Sequence, residues 1–314
     1  MTGTVIEVEG LRKVYRRLRG GNTLALDGLD LTVPEGGVFG FLGPNGAGKT
    51  TTIRCLLGLV RPTAGRARLL GVDVPGGLAG VIGRVGSIVE TPTFYPRFSG
   101  RFNLQLLARI QGNGRKDVAA AMDRVGLGGR AGDPVKTYSL GMKQRLGIAA
   151  ALLKDPALLV LDEPANGLDP AGIKEVRDLL RRLGEEGRTV FVSSHQLAEV
   201  QQMCDRVAIL SRGRHVASGS VAEVLARGRR EALTVRLDDL EAGLTALTEA
   251  GFEASRDGDH LKVDLPTDRA AEVTRALADR GLYLTELRPE VVSLEDVFLE
   301  LTREPSEPPE GRAG

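Results

Sequence analysis

The segment GPNGAGKT at residues 43–50 constrains this chain more than any other stretch. It fits the pattern G-x-x-x-x-G-K-[ST], in which glycines let backbone N–H groups turn inward onto phosphate oxygens. The apolar run GVFGFLG precedes it, and the helical pattern GKTTTIRCLLGLV follows it. A strand, a glycine loop and a helix N-terminus in this order predict a phosphate-binding loop, because the helix dipole favours an anion there.

We expect the loop to hold the phosphates of a nucleotide. Lys49 supplies a point charge for the β and γ phosphates, and the Thr50 hydroxyl supplies a ligand for Mg²⁺. The alternative, a glycine turn without a ligand, does not explain the position at a strand-to-helix junction. The candidate nucleotide-binding residues of this segment are Gly43, Pro44, Asn45, Gly46, Ala47, Gly48, Lys49, Thr50 and Thr51.

A second candidate site is LLVLDEP, residues 158–164. Four apolar residues predict a buried strand, which places Asp162 at its carboxyl end beside the phosphate loop. Asp162 can hold Mg²⁺ through water there, and Glu163 can activate an attacking water as a general base. Two acids after a strand are a weak signal alone, and they become a strong one in a chain that carries the phosphate loop.

The pattern of elements predicts an α/β fold with a second, smaller domain. Continuous apolar strands alternate with helices, which indicates a parallel sheet covered on both faces. A mostly helical stretch from about 92 to 155 is inserted into that order. We therefore expect a nucleotide-binding domain at 1–228, a small α+β domain at 229–303 and a polar, Pro-rich, disordered tail at 304–314.

Composition excludes several classes of function. The net charge of +1 gives no argument for nucleic acid binding or for a polybasic membrane anchor. No apolar run approaches the roughly 18 residues of a membrane span, and the N-terminus lacks the apolar core of a signal peptide. Any membrane role is therefore expected to come through a partner. Cys55 and Cys204 are too few for a disulfide framework, and we expect buried free thiols.

Residues 138–170, YSLGMKQRLGIAAALLKDPALLVLDEPANGLDP, resemble the signature motif, magnesium strand and D-loop of the ATP-binding subunits of ATP-binding cassette (ABC) transporters. The resemblance covers residues from about 4 to 225. It implies a P-loop NTPase cassette, with a RecA-like core and an inserted helical subdomain. It also implies ATP and Mg²⁺ as cofactors, ATP hydrolysis as the activity, and two cassettes that sandwich two ATP molecules head to tail.

The signature region carries expected contacts to the opposite cassette. Ser139 and Gly141 match the residues that touch the γ-phosphate bound by the other subunit, and Asp169 matches an aspartate that contacts that subunit. Leu140 and Met142 depart from the family's usual glycine and glutamine. Because Ser139 and Gly141 are kept, we expect the function to survive. A helix cap is the local role open to Ser139 in any case.

Two further residues match positions that contact ATP. His195 ends the apolar strand TVFVSS and matches the switch histidine that contacts the γ-phosphate, although a lone histidine is more often structural. Tyr15 follows the first strand, where the family has an aromatic residue that stacks on adenine. A surface or core tyrosine is the alternative for Tyr15.

The segment VGSIVETPTFYPRF, residues 85–98, ends an apolar run on an acid, Glu90. The family has a glutamine there, whose side chain reaches Mg²⁺ and the attacking water. A carboxylate can also ligate Mg²⁺, but it adds charge beside the γ-phosphate. Glu90 is therefore a candidate catalytic residue and metal ligand, and an exposed acid at a strand end is the alternative. A glutamate at this position, together with SLGM in the signature, makes the chain resemble the subfamily that exports bacitracin and lantibiotic-type peptides.

The residues after Glu90 predict a docking surface. In the family this loop contacts the membrane partner, and exposed aromatics in a proline-stiffened loop suit a helix in a groove. The alternative is that they pack the helical region onto the core. The residues concerned are Pro92, Phe94, Tyr95, Pro96 and Phe98.

The resemblance implies the cytosolic ATPase of a bacterial exporter, held on the inner face of the cell membrane by a separate integral-membrane permease. The expected substrate is an antibiotic, a peptide or a drug-like compound, and the C-terminal domain resembles an accessory domain of such exporters. A second copy of this chain or a paralogous ABC subunit completes the dimer, and no nucleic acid partner is expected. The alternative is a non-transport ABC ATPase acting on nucleic acid or ribosomes, although such proteins usually carry long coiled coils or two fused cassettes.

Overall fold

The computed structural model describes residues 3–16, 21–90, 92–227, 232–290 and 293–302. The chain divides into two compact units, a smaller one at Leu225–Glu300 and a larger one that comprises Met1–Val224 and the chain from Leu301 on. The predicted tail at 304–314 and the predicted boundary at residue 228 lie outside the described residues. The strands of the larger unit are β1 (Thr4–Tyr15), β2 (Thr23–Pro34), β3 (Gly37–Leu42), β4 (Ala64–Leu69), β5 (Val72–Val74), β6 (Val85–Ile88), β7 (Leu158–Asp162), β8 (Thr189–Ser194), β9 (Arg206–Ser211) and β10 (Arg214–Ser220).

Two sheets organise the larger unit. The central sheet has the order β10-β9-β3-β8-β7-β6, in which β9 and β10 pair antiparallel and the other neighbours pair parallel. The second sheet has the order β2-β1-β4-β5 and is antiparallel. Because the central strands are parallel, the carboxyl ends of β3, β6, β7 and β8 meet at one edge. The predicted α/β fold is confirmed.

Helices up to residue 227 follow or separate these strands. The helix after the phosphate loop packs between the two sheets, because Ile53 and Leu56 join one hydrophobic cluster with Phe41 of β3, Leu26 of β2 and Leu69 of β4. The helices are α1 (Lys49–Leu56), α2 (Leu78–Val81), α3 (Gly100–Gln111), α4 (Arg115–Arg124), α5 (Leu140–Leu152), α6 (Pro170–Glu185), α7 (Leu197–Met203) and α8 (Val221–Arg227).

The helical insertion between β6 and β7 begins later than the sequence pattern indicated. Residues 92–99 form no helix, and α3 starts at Gly100 with Ser99 as its N-cap. The expectation of mostly helical structure from about 92 is therefore wrong for these residues. Two prolines interrupt the segment, and the buried side chain of Asn103 hydrogen-bonds to the backbone of Tyr95, Phe98 and Ser99.

Both cysteines are buried free thiols, as predicted. Burial raises the pKa of the Cys55 thiol, an effect that the charge of Lys13 partly offsets. Burial also raises the pKa of the Cys204 thiol, and the neighbouring Asp205 carboxylate raises it further. A protonated, buried thiol is a poor nucleophile and a poor metal ligand, so neither cysteine is a candidate for chemistry.

The smaller unit has the connectivity β-α-β-β-α-β of a ferredoxin-like fold. Its four strands are antiparallel in the order β12-β13-β11-β14, and Leu233, Leu247, Leu261 and Leu277 belong to a hydrophobic core of its own. The sequence predicted the alternation of elements here, and the structure adds the order of the strands. The elements are β11 (Leu233–Leu237), α9 (Leu240–Glu249), β12 (Ala254–Asp257), β13 (His260–Val263), α10 (Ala270–Ala278) and β14 (Leu284–Pro289), followed by α11 (Leu294–Thr302).

None of the described helices combines the length and the apolar character that crossing a bilayer requires.

Candidate active site

Glycines shape the loop between β3 and α1. Gly48 has φ of 109°, in the left-handed region that favours glycine. A Cβ atom at Gly48 would lie 2.7 Å from the carbonyl oxygen of Ala25 in β2, and one at Gly43 would lie 2.5 Å from the carbonyl oxygen of Leu210 in β9. The loop is therefore pressed against both sheets, and a larger residue at either position would displace it.

Lys49 is the first residue of α1, and its side chain is only 6% exposed. Its Nζ atom donates to the carbonyl oxygens of Gly43 at 2.7 Å and Pro44 at 3.3 Å. The same atom lies 3.3 Å from Oε1 of Glu163. An ammonium group has three protons to donate, and three oxygens surround this one. An anion in the loop would offer Lys49 a stronger, charge-assisted partner than the two neutral carbonyls.

Ser193 holds both acids at the end of β7. Asp162 is buried, and its Oδ1 atom accepts a hydrogen bond of 2.5 Å from the Ser193 hydroxyl. Glu163 adopts φ of 50°, and its backbone N–H donates to the Ser193 carbonyl oxygen at 3.2 Å and hydroxyl oxygen at 3.0 Å. Ser193 is not among the residues predicted from the sequence, although its place at the end of a strand parallel to β7 was a usable signal.

The carboxylate of Glu163 lies between two other predicted residues. Its Oε2 atom is 2.7 Å from Nδ1 of His195, and its Oε1 atom faces Lys49. Three motifs that are far apart in the sequence therefore meet in one chain of contacts. The contacts at both oxygens orient this carboxylate toward the loop.

A cavity of about 510 Å³ opens above the loop. Its wall consists of loop residues 44–51 together with Tyr15, Glu163 and His195, all of which the sequence analysis singled out. Its volume lies in the range of small-molecule and cofactor sites. The wall also includes residues that the sequence analysis missed, namely Thr23, Leu24, Ala25 and Asn166.

Tyr15 is the last residue of β1 and pairs with Thr23 of β2. This pairing brings the start of β2 into the cavity wall, so the register of the hairpin was the signal for Thr23, Leu24 and Ala25, whereas Asn166 follows the acids after β7. The Nζ atom of Lys13 lies 4.9 Å from the centroid of the Tyr15 ring and donates to the carbonyl oxygen of Arg61 at 2.8 Å. This cation–π contact favours one orientation of the Tyr15 ring, and the lysine that makes it is itself hydrogen-bonded.

Ser139, Gly141 and Asp169 lie away from this cavity, at the N-termini of α5 and α6. The Ser139 hydroxyl accepts from the backbone N–H of Met142 at 3.2 Å, and Asp169 accepts from that of Gly172 at 3.0 Å. A Cβ atom on Gly141 would lie 3.7 Å from the Cα atom of Gly172, so the two helix ends are adjacent. The cap role of Ser139 is confirmed, and a contact to another subunit stays a prediction for all three residues.

The structure does not bring Glu90 into the cavity wall. Its side chain is 69% exposed, and its Oε1 atom lies 2.5 Å from a guanidinium nitrogen of Arg54. The backbone of Glu90 has φ of 77°. Its predicted role beside Mg²⁺ stays a prediction, and the carboxylate would have to leave Arg54 to perform it.

The available ligands fit a magnesium ion that arrives with a nucleotide. No group of three His, Cys, Asp or Glu side chains suited to a metal ion occurs within the described ranges. The Thr50 hydroxyl lines the cavity, and the Asp162 carboxylate lies at the end of β7. Mg²⁺ is usually held by one or two carboxylates, waters and substrate phosphates, which matches such a sparse set of oxygen donors.

Comparison with known proteins finds similarity along the whole chain. The sequence profile described as ABC transporter matches residues 26–166. An ABC transporter ATP-binding protein of Bacillus subtilis is 41% identical over 306 residues, which cover 97% of this chain and 98% of that protein. A bacitracin transport ATP-binding protein of Enterococcus faecalis is 39% identical over 304 residues, with coverage of 95% and 96%. A daunorubicin/doxorubicin resistance ATP-binding protein of Streptomyces peucetius is 38% identical over 313 residues, with coverage of 96% and 93%.

Solved structures match the cassette part of the chain. The structure of cbiO1 from Clostridium perfringens, part of the ABC transporter complex cbiONQ, is 30% identical with a TM-score of 0.64 and covers 71% of this chain and 91% of that one. A dimeric post-hydrolysis state of the ATP-binding cassette MJ0796, bound to ADP and Pi, has a TM-score of 0.62 and coverage of 69% and 98%. At 23% identity, this second likeness shows the P-loop NTPase fold.

The hydrogen bonds of Ser193 generate a stability prediction. Ser193→Ala leaves the buried Asp162 carboxylate without its hydroxyl partner, and we expect it to lower the free energy of unfolding by about 1–3 kcal/mol. Urea unfolding followed by circular dichroism measures this change. Ser194→Ala is the matched control, because Ser194 is only half-buried and water can replace its hydroxyl. Equal, small effects of the two substitutions would contradict the prediction.

Proposed function

This chain belongs to the family of ABC transporter ATP-binding proteins, and we propose that it is the ATPase of a bacterial exporter of an antibiotic, a peptide or a drug-like compound. As a member of that family it binds ATP and hydrolyses it as the energy-supplying subunit of a transporter. The observation that carries the proposal is the similarity, over nearly the full chain, to a bacitracin transport protein and a daunorubicin/doxorubicin resistance protein. Export is the direction of transport by which a transporter lowers the concentration of a drug in the cell.

The proposed hydrolytic step follows from the contacts of Lys49 and Glu163. When the phosphates of ATP occupy the loop, Lys49 turns to them and leaves Oε1 of Glu163 free. Glu163 then accepts a proton from the attacking water at that oxygen, as a general base. His195 keeps its contact with Oε2 and holds the carboxylate in place. Mg²⁺, held by Thr50 and Asp162, would neutralise charge on the phosphates.

Adenine and the second cassette complete the proposed site. Tyr15 offers a flat ring at the cavity wall for base stacking, in an orientation favoured by the contact with Lys13. Ser139 and Gly141 contact the γ-phosphate bound to the opposite subunit, and Asp169 contacts that subunit, which is a second copy of this chain or a paralogue. Helix N-termini with unsatisfied N–H groups favour a γ-phosphate there.

An exposed row of aromatic rings supports docking to a separate integral-membrane permease. Tyr95 is 64% exposed and Phe98 is 44% exposed, and Phe102 is also exposed. The rings of Tyr95 and Phe98 are 5.6 Å apart, and those of Phe98 and Phe102 are 4.8 Å apart in an edge-on arrangement. Rigid exposed aromatics of this kind suit a helix in a groove. Such docking would hold the chain on the inner face of the cell membrane.

Two other residues of this segment, Pro92 and Phe94, fit the alternative role of packing the helical region onto the core. Pro92 is half-buried, and a Cβ atom on Gly147 of α5 would lie 2.4 Å from its ring. Phe94 is also half-buried. The segment is therefore divided: Pro92 packs against α5 and Phe94 is half-buried, whereas Tyr95 and Phe98 are exposed.

Replacing the proposed base and the loop lysine separates hydrolysis from binding. Glu163→Gln keeps the shape of the side chain but cannot take a proton, and we expect ATP turnover to fall by about 10²- to 10⁴-fold while nucleotide binding persists. Lys49→Ala removes the charge that meets the phosphates, and we expect nucleotide binding itself to weaken. Phosphate release and calorimetry measure the two effects, with exposed Glu185→Gln as control. Wild-type turnover in Glu163→Gln with wild-type binding in Lys49→Ala would refute the site.

A tryptophan at position 15 reports base stacking, because the chain contains no tryptophan. In Tyr15→Trp we expect ATP to change the indole fluorescence and inorganic triphosphate to leave it unchanged. Tyr15→Ala should weaken ATP binding by about 1–3 kcal/mol and leave triphosphate binding unchanged, since only the base contact is lost. Equal losses for ATP and triphosphate would show that Tyr15 does not stack on the base.

Copurification tests the proposed permease. We expect the tagged chain, isolated from gently solubilised membranes of its own cell, to bring down an integral-membrane protein. Phe98→Ala should reduce that recovery and leave the ATPase activity of the isolated subunit unchanged. Tyr283→Ala is the control, because this aromatic is also exposed and lies in the smaller unit. Recovery of ribosomal or nucleic-acid partners without a membrane protein would favour a non-transport ABC ATPase instead.

A further inference from the structure

Glu90 and Arg54 form an ion pair beside the active site. The Oε1 atom of Glu90 lies 2.5 Å from a guanidinium nitrogen of Arg54 in α1. The Arg54 side chain is 35% exposed and the Glu90 side chain is 69% exposed. A pair with this exposure is weak, because water screens it and both side chains lose freedom when they meet. Such a contact can form and open readily.

The backbone of Glu90 lies at the edge of the sheet where the acids of β7 stand. Ile88 of β6 pairs in parallel with Leu161 of β7. Glu90 lies two residues beyond Ile88, just as Glu163 lies two residues beyond Leu161, and both glutamates are past the ends of their strands. The positive φ of Glu90 is unfavourable for a residue with a Cβ atom and persists only where the surroundings impose it. The main chain therefore places Glu90 at the catalytic edge, while its side chain points to Arg54.

Arg54 stands one helical turn from the proposed magnesium ligand. It follows Thr50 by four residues in α1, so the two side chains lie on the same face of the helix. The residue that binds the Glu90 carboxylate is thus one turn of α1 away from Thr50. The Glu90 side chain would therefore have to move along α1, from Arg54 toward Thr50, to contact a metal ion held there.

We propose that Arg54 is a positioning residue that holds the Glu90 carboxylate off the metal site while no nucleotide is bound. The inference rests on the proposed binding of ATP with Mg²⁺. Arg54 pairs with a carboxylate that is otherwise exposed at this edge of the sheet. When nucleotide enters, Glu90 would leave Arg54 and offer its carboxylate to the Mg²⁺ that accompanies the phosphates. A glutamine at position 90 would have no charge for Arg54 to bind, so the arginine matters because this chain has a glutamate there.

The test measures binding of the non-hydrolysable analogue AMP-PNP by calorimetry, in excess Mg²⁺ and in EDTA. The dissociation constant in EDTA divided by that in Mg²⁺ reports how strongly the metal contributes to binding, and a larger ratio means a larger contribution. We expect Arg54→Ala to increase this ratio about two- to five-fold, since Glu90 no longer has to leave a partner. Arg54→Lys, which keeps the charge, should restore the wild-type ratio. In a Glu90→Gln background, Arg54→Ala should change nothing.

The controls separate this inference from the proposed function. Arg68→Ala removes another half-exposed arginine, which pairs with Glu7 and Asp73, and should leave the ratio unchanged. An unchanged or smaller ratio in Arg54→Ala overturns the inference, and so does an equal shift in the Glu90→Gln background. Arg54→Gln, checked by circular dichroism, replaces Arg54→Ala if the latter does not fold. If the wild-type protein fails to bind AMP-PNP, the proposed function fails instead.

Discussion

A buried ammonium group has to be surrounded by oxygens, and Lys49 imposes this requirement on the whole site. Two loop carbonyls and the carboxylate of Glu163 meet it. The loop must therefore curl around the lysine, and β7 must end beside it. The helix that begins at Lys49 continues from this site into the core, where Ile53 and Leu56 pack with residues of both sheets.

The parts of the site that depend on one segment could be predicted from the sequence. The loop at 43–50 and the acids after β7 each carry their chemistry within a few residues, and parallel strands bring their ends together. The parts that depend on the direction of a side chain could not be predicted from the sequence. Ser193 holds both acids through contacts that only the pairing of β7 with β8 creates. Glu90 comes just after β6, at the edge where the site lies, yet its side chain contacts Arg54 and does not reach the cavity.

In the fold, too, local features could be predicted from the sequence, whereas features set by long-range contacts could not. Continuous apolar runs gave the right strands, because a strand buried on both faces needs no alternation. The helical insertion starts at Gly100 rather than near residue 92, because two prolines interrupt the segment and the Asn103 side chain hydrogen-bonds to the main chain of Tyr95 and Phe98. In the smaller unit the elements follow from periodicity, whereas the strand order follows from long-range pairing between β11 and β14. The curated relatives extend over this unit, and the solved cassettes cover about 70% of the chain.

Asn103 has a consequence for how the aromatic surface can evolve. It holds the segment after Glu90 through main-chain atoms, accepting from the N–H of Tyr95 and donating to the carbonyl oxygens of Tyr95, Phe98 and Ser99. Main-chain atoms are the same for every residue except proline at the donor position. The side chains of this surface can therefore be exchanged while its shape persists. If this surface docks the permease as proposed, substitutions on one loop would suit it to a new membrane partner without refolding the scaffold that performs hydrolysis.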